Sequence, residues 1–221
     1  MRRAIFLPAK VPRPGHTKTR LTPALTPEGA AELYRALLMD CARLALDLAW
    51  ERTAVCFQDE PGAGAAMREL LPAGVELRPR AERELGPLLA GSFRDFFDEG
   101  FERVLVIGSD NPSVPAAVVE GALRGLDEHD LAIGPTTDGG YYLLGMSRFH
   151  PELFEGISWS TDRVYKETLE RAREAGLDVL AAREWHDVDV IADVNRLRSE
   201  LAHVPASVAR ATRAALAELP C

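Results

Sequence analysis

Arg103-Val104-Leu105-Val106-Ile107-Gly108-Ser109-Asp110-Asn111-Pro112 is the stretch on which the reading of the fold turns. Its unbroken aliphatic run lacks the alternation of a half-exposed strand and suits one buried on both faces, as in the middle of a parallel sheet. Gly108 and Pro112 then bracket a carboxylate on a short, stiff loop. In open α/β sheets ligands lie beyond the carboxyl ends of the strands, so Asp110 stands where chemistry is expected. A hard cation such as Mg²⁺ takes one or two carboxylates and completes its shell with substrate phosphates and water. The alternative is that Asp110 caps the following helix, a part for which Ser113 is equally suited.

Working outward from this strand, short β-type runs alternate with longer helical patterns. Upstream, strands are expected over 3–7, 53–57 and 75–77. Helices are expected over 27–48 and 61–71, with another marked by Leu85, Leu89, Phe93 and Phe96. The first helix has Thr26 as its cap and Pro27 as its first residue, and Leu33, Leu37, Cys41, Leu44 and Leu48 recur at helical spacing. Downstream come a helix over 115–126, strands over 131–133 and 141–145, a helix over 161–175 capped by Ser160 or Thr161, a strand over 177–180 and two closing helices. This order predicts an α/β fold: a mostly parallel sheet with helices on both faces. With no repeat, low-complexity tract or long linker, one domain over 1–221 is expected.

The composition narrows the function. A net charge of −8 argues against a general nucleic-acid binder, which needs a basic footprint. It leaves room for a phosphorylated substrate, because a metal ion and a few local cations reverse the sign inside a cleft. Three cysteines (Cys41, Cys56, Cys221) are too few and too scattered for a disulfide framework or a zinc site. The apolar run after Met1-Arg2-Arg3 is ended by Pro8 and Lys10, too soon for a signal peptide, and no stretch has the length of a membrane span. A cytoplasmic location is expected, and a homodimer is left open.

Three further segments could carry chemistry. The loop after the first strand, 9–21, holds Lys10, Arg13, Lys18 and Arg20 in an otherwise acidic chain. Gly15 allows close approach of backbone to a ligand, and Lys18 and Arg20 can meet phosphate oxygens. A solvated surface loop is the alternative. It is not a Walker loop, since Thr17 stands where glycine should precede Lys18, and Gly62-Ala63-Gly64-Ala65-Ala66-Met67 fails as a dinucleotide fingerprint at Met67. Asp187-Val188-Asp189, with Asp193 following, could supply an acid to complete a metal site with Asp110, although acidic pairs before helices are usually caps. In Gly134-Pro135-Thr136-Thr137-Asp138-Gly139-Gly140-Tyr141-Tyr142, adjacent glycines beside tyrosines suit backbone close to a ligand, while Asp-Gly is also a strong turn signal. Trp159-Ser160-Thr161 reads both as a helix start and as anion-facing donors. His16 and His186 lack partners at triad or zinc spacing and receive no catalytic role.

Taken in order, Lys10-x-Pro12-x-Pro14-Gly15-x-x-Lys18-Thr19-Arg20-Leu21, Gly108-Ser109-Asp110-x-Pro112, Gly134-Pro135-x-x-Asp138-Gly139-Gly140-Tyr141-Tyr142, Trp159-Ser160-Thr161 and His186-Asp187-Val188-Asp189 span nearly the whole chain. This series resembles a bacterial family of candidate glycosyltransferases, once labelled a domain of unknown function and associated with arsenosugar biosynthesis. It is more distantly similar to phospholactate and molybdenum-cofactor guanylyltransferases. The resemblance implies a GT-A, nucleotide-diphospho-sugar transferase-like (Rossmann-like) three-layer sandwich with a mixed, mostly parallel sheet. It implies that Asp110 is the first metal acid and Asp189 a second ligand. The chain departs from such relatives in carrying Val190-Ile191-Ala192-Asp193 where they usually have Thr-Pro-Glu-Asp.

The leading expectation is glycosyl transfer from a nucleoside-diphosphate sugar. Asp110 and Asp189 would hold Mg²⁺ or Mn²⁺, and Lys10, Gly15, Lys18, Thr19 and Arg20 would bind the phosphates. Asp138 would orient or deprotonate a small-molecule acceptor seated by Gly139, Gly140, Tyr141, Trp159, Ser160 and Thr161. The alternative is nucleotidyl transfer, in which a phosphorylated small molecule attacks a nucleoside triphosphate and expels pyrophosphate. A third reading is a nucleotide-binding protein without turnover.

Overall fold

The computed structural model describes residues 2–48 and 50–219. Seven strands form one sheet: β1 (Arg3–Ala9), β2 (Arg52–Gln58), β3 (Glu76–Arg80), β4 (Arg103–Ile107), β5 (Leu131–Pro135), β6 (Tyr141–Met146) and β7 (Val179–Ala181). Their order is β3-β2-β1-β4-β6-β5-β7. Only β6 runs antiparallel to its neighbours, β4 and β5. The chain winds outward from β1 through β2 to β3, then returns to place β4 on the other side of β1. The boundary between β1 and β4 is therefore the topological switch point, where loops diverge and leave a crevice.

Among the described residues seven helices accompany the sheet: α1 (Pro27–Asp47), α2 (Ala63–Leu70), α3 (Leu85–Asp98), α4 (Ala116–Gly125), α5 (Val164–Glu174), α6 (Ile191–Ala202) and α7 (Arg210–Glu218). Alternate residues of β1 divide between the two faces. Ile5 and Leu7 join a core with Leu38, Cys41, Val55, Phe57, Met67, Val119 and Leu143. Ala4 and Phe6 join Leu89, Phe93, Phe96, Val104 and Leu144. A third cluster, including Leu33, Leu37, Leu197 and Leu216, packs α6 and α7 onto α1. The Asp40 carboxylate, buried in α1, accepts the backbone N–H groups of Ala211 and Thr212 and so caps α7.

β4 has the expected bounds, and all of Val104–Ile107 is buried, as an aliphatic run in a central strand requires. Thr26 caps α1 by accepting the Gly29 N–H at 3.0 Å. Two expectations and one alternative reading fail. Leu85 is 45% exposed and lies outside the buried stripe of α3. Neither Asp110 nor Ser113 caps α4, whose N-cap is Pro115; the Ser113 hydroxyl instead donates to Glu200 and accepts from the Trp185 indole. Helix α5 begins at Val164 rather than 161, and neither Ser160 nor Thr161 caps it. Ser160 has φ 63, and Thr161 spends its hydroxyl on the Ser158 carbonyl and the Arg163 N–H, closing a turn ahead of the helix.

Candidate functional site

Four loops meet at the carboxyl edge of the sheet, and the sequence of each explains its shape. After β1, Gly15 at φ 74 lets the chain turn back, with the N–H groups of His16 and Thr17 both bonded to the Arg13 carbonyl. Arg13 reaches Glu60 at 2.7 Å and pins the loop to the residues ahead of α2. Lys18 then adopts the left-handed conformation at φ 49. That conformation costs a non-glycine residue about 1–2 kcal/mol, and it turns the lysine side chain into the crevice. Arg20, 72% exposed, sits on the short 3₁₀ turn Thr19–Leu21.

Lys18 is the hub. Its Nζ donates to Asp110 Oδ2 at 2.5 Å and to Asp189 Oδ1 at 2.7 Å, with the lysine side chain only 7% exposed. Arg20 approaches the other oxygen of Asp189 at 3.6 Å. The structure thus brings together Lys18, Asp110 and Asp189 from the ends of the chain and from its middle, with the lysine between the two acids. Burial opposes the charge of Lys18, yet Asp110 and Asp189 together hold its pKa above that of an ordinary lysine. Burial likewise works against Asp189, but Lys18 and Arg20 draw its carboxyl below the usual range.

The surrounding frame was not legible beforehand. Asn111 is buried, and its amide donates to the His186 carbonyl at 2.8 Å and to Asp187 Oδ1 at 2.6 Å, lacing the loop after β4 to the segment that carries Asp189. Gly108 is required beside it, since a Cβ there would lie 2.0 Å from Asn111 Oδ1. The Tyr34 hydroxyl accepts the Lys10 N–H and bonds Ser109 Oγ at 3.1 Å, tying α1 to both β1 and β4. Asp193 accepts the N–H groups of Asp189 and Val190, so the 190–193 segment still starts α6 and fixes the backbone of Asp189. Asp187 forms no part of the lysine bridge. Burial, and next the charge of Asp110, push its carboxyl up to about 8. His186 is buried against Glu200 and its pKa is lowered by that burial.

The expected acceptor residues lie on the same edge but are held differently. Asp138 is exposed, and one of its oxygens takes both the Thr136 hydroxyl at 2.6 Å and the Gly140 N–H at 3.1 Å. Gly139, at φ 90, packs directly on the Asp162 backbone, and its carbonyl accepts the Tyr165 N–H, which brings this turn against the segment 158–165. Trp159 stacks on Phe154 and lies over Gly86, where a Cβ would meet the indole nitrogen at 2.2 Å. The Tyr141 hydroxyl is buried without a hydrogen-bond partner. Tyr142 points to the opposite face and donates to the Arg183 carbonyl. Ser160 and Thr161 are exposed in their turn.

The donor set fits a divalent cation that arrives with a phosphate ligand. Two carboxylates already converge on a single cationic atom, and a hard ion of the Mg²⁺ type needs no more than that from the protein. Among the described residues, no group of three or more His, Cys, Asp or Glu side chains is arranged to hold a metal by itself.

The mixed seven-stranded sheet, with its switch-point crevice between β1 and β4, has the α/β fold of the nucleotide-diphospho-sugar transferases. The chain belongs to the family described as "Uncharacterized protein conserved in bacteria (DUF2064)", whose sequence profile matches residues 42–161. It is similar to the crystal structure of a candidate nucleotide-diphospho-sugar transferase from Desulfovibrio desulfuricans G20, with 31% identity, a TM-score of 0.89 and 99% of each chain covered. It is 30% identical over 186 residues to a 2-phospho-L-lactate guanylyltransferase of Methanothermobacter thermautotrophicus (strain Delta H), covering 82% of this chain and 78% of the relative. A nucleotidyl transferase from the same genus shares the fold at a TM-score of 0.60 and 14% identity, over 91% of this chain and 98% of that one. No helix among the described residues is long and apolar enough to cross a membrane.

Proposed function

We propose that the protein is a nucleotidyltransferase that activates a phosphorylated small molecule. The observation that carries this reading is the 30% identity, across most of both chains, to a guanylyltransferase; the lysine–carboxylate centre is compatible with the same chemistry. A phosphate oxygen of the acceptor would attack the α-phosphorus of a nucleoside triphosphate. The bond from that phosphorus to the oxygen bridging it to the β-phosphate would break, and pyrophosphate would leave. A phosphate monoester is largely dianionic at neutral pH, its second pKa being near 6, so its attacking oxygen needs no base.

Under this proposal Asp110 and Asp189 would hold Mg²⁺ or Mn²⁺. Such an ion, when bound, neutralises charge developing on the leaving pyrophosphate. Lys18, largely buried, and Arg20, exposed at the rim, would supply positive charge to the phosphates at the same crevice. Lys10, Gly15 and Thr19, exposed on the same loop, would add contacts to the phosphates. Glycosyl transfer from a nucleoside-diphosphate sugar is the second reading, favoured by the 31% identity to the candidate nucleotide-diphospho-sugar transferase. In that reaction the acceptor is a hydroxyl, and Asp138 is its base.

One assay separates them. The chain is incubated with Mn²⁺, nucleoside triphosphates or nucleotide sugars, and a panel of phosphorylated hydroxy acids that includes 2-phospho-L-lactate. Pyrophosphate release is expected, and release of free nucleoside diphosphate from a nucleotide sugar would favour the second reading. Asp110→Asn should cut turnover at least about 100-fold, the scale of losing a single preorganised charge-stabilising group. The asparagine variant should still fold.

A further inference from the structure

The cation shared by Asp110 and Asp189 belongs to the chain itself. Lys18 Nζ lies 2.5 and 2.7 Å from the two carboxylates, so both of its contacts are full hydrogen bonds. The placement is built in from several sides. The left-handed backbone at Lys18 aims the side chain inward, and the Tyr34 ring lies 5.9 Å from Nζ. Asn111 and Asp193 fix the two acid-bearing segments on either side. Nothing comparable holds Arg20, which stays exposed at the rim.

We propose that Lys18 occupies the seat of the divalent cation and yields it only when nucleotide phosphates draw the ammonium away, so that metal binding depends on the nucleotide. This deepens the transfer reading above and rests on it. An ammonium hydrogen-bonded to both carboxylates and a divalent ion bonded to the same two cannot be neighbours without strong like-charge repulsion. If metal alone entered, Lys18 would lose two partners and gain none, leaving a largely buried charge uncompensated. A polyphosphate changes the balance. It offers Lys18 new anionic oxygens, while the freed carboxylates receive the metal, and every charge stays paired throughout the exchange. The site then assembles only around a loaded nucleotide.

The test reads Mn²⁺ binding on the full chain by electron paramagnetic resonance. With Mn²⁺ alone, the wild type should bind weakly. Lys18→Met, which keeps most of the length of the side chain and removes its charge, should bind at least about tenfold more tightly, a shift of 1.4 kcal/mol. Adding GTP, with CTP in parallel, should raise Mn²⁺ binding by the wild type well beyond that of an Asp189→Asn chain given the same nucleotide. That variant accounts for metal held by the nucleotide itself. Equal affinity of wild type and Lys18→Met for Mn²⁺ alone overturns the proposal. Should Lys18→Met lose its native circular-dichroism spectrum, the wild-type comparison with and without nucleotide decides, and no gain on adding either nucleotide overturns it. The two readings fail separately. Pyrophosphate release from a chain that binds Mn²⁺ equally well without nucleotide sinks the gate and spares the transfer reading. Nucleotide-dependent Mn²⁺ binding with no product from any donor does the reverse.

Discussion

Two acidic turns stand side by side at the carboxyl edge of the sheet, and they are anchored in opposite ways. Asp110 meets Lys18 and, through it, Asp189, partners 92 and 171 residues apart in sequence from that lysine. Asp138 is satisfied by Thr136 and Gly140, each two residues away. The first arrangement exists only once the whole sheet has folded, and it concentrates charge in a crevice. The second is a turn that short peptides of the same sequence could sample. Proximity to the strand ends is shared by both, so position alone does not separate a reactive centre from a turn; the range of the contacts does.

The contrast is tested most severely at Asn111, which laces the two acid-bearing segments together. Asn111→Ala removes both donors and leaves the His186 carbonyl and Asp187 without them, at a cost of roughly 2 kcal/mol. Chemical denaturation should show that loss. A variant as stable as wild type would mean that the segments are held without Asn111, and the distinction between long-range and local anchoring would lose its main support.

Asp187 gives a smaller and pH-dependent effect. Its carboxyl is pushed up to about 8 in the folded chain, by burial first and by the Asp110 charge second, against about 3.9 for an unfolded aspartate. Between these values the folded state binds the proton and the unfolded state does not, so this group's contribution to stability falls as pH rises from about 4 to 8. Asp187→Asn keeps the oxygen that accepts from Asn111 and removes the titration. Its melting temperature should therefore gain on the wild type between pH 5 and pH 8, by at least about 3 °C if 1 kcal/mol is recovered. A gap that stays constant over that range would show that Asp187 ionises normally.

Sequence carried the frame of the molecule further than its site. The aliphatic run of β4 and the Thr26-Pro27 start of α1 are local signals, each with one structural solution, and both were met residue for residue. The start of α5 was misread because Thr161, a good cap in isolation, is consumed by the turn that joins Ser158 to Arg163. Lys18, Asp110 and Asp189 were recognisable as residue types after strands. That the lysine would lie between the acids was not, because it depends on the side-by-side placement of β1 and β4. Asn111 and Tyr34 were missed for the same reason: each acts on segments remote in sequence, and nothing local distinguishes Tyr34. An amide wedged between an acid and a proline at a strand end was the available signal for Asn111.

Asp138→Asn should have the smallest effect, and it bears on the chemistry as well as on the comparison. An asparagine oxygen can still accept the Thr136 hydroxyl and the Gly140 N–H, though less strongly than a carboxylate, and asparagine is equally at home in such turns. Stability should stay within about 0.5 kcal/mol of wild type, as for an exposed substitution that keeps its contacts. Turnover depends on the acceptor. A phosphate oxygen arrives without a proton, so nucleotidyl transfer to a phosphorylated acceptor leaves Asp138 nothing to remove, and the variant should keep its rate within a few-fold. A hydroxyl acceptor must lose a proton as it attacks, and a positioned base contributes about 10²–10⁴-fold to such a step. Measuring kcat for Asp138→Asn with the melting temperature alongside therefore distinguishes the reactions even before the product is identified. A hundredfold loss in a chain that melts like the wild type would move Asp138 from the turn to the catalytic centre and favour glycosyl over nucleotidyl transfer.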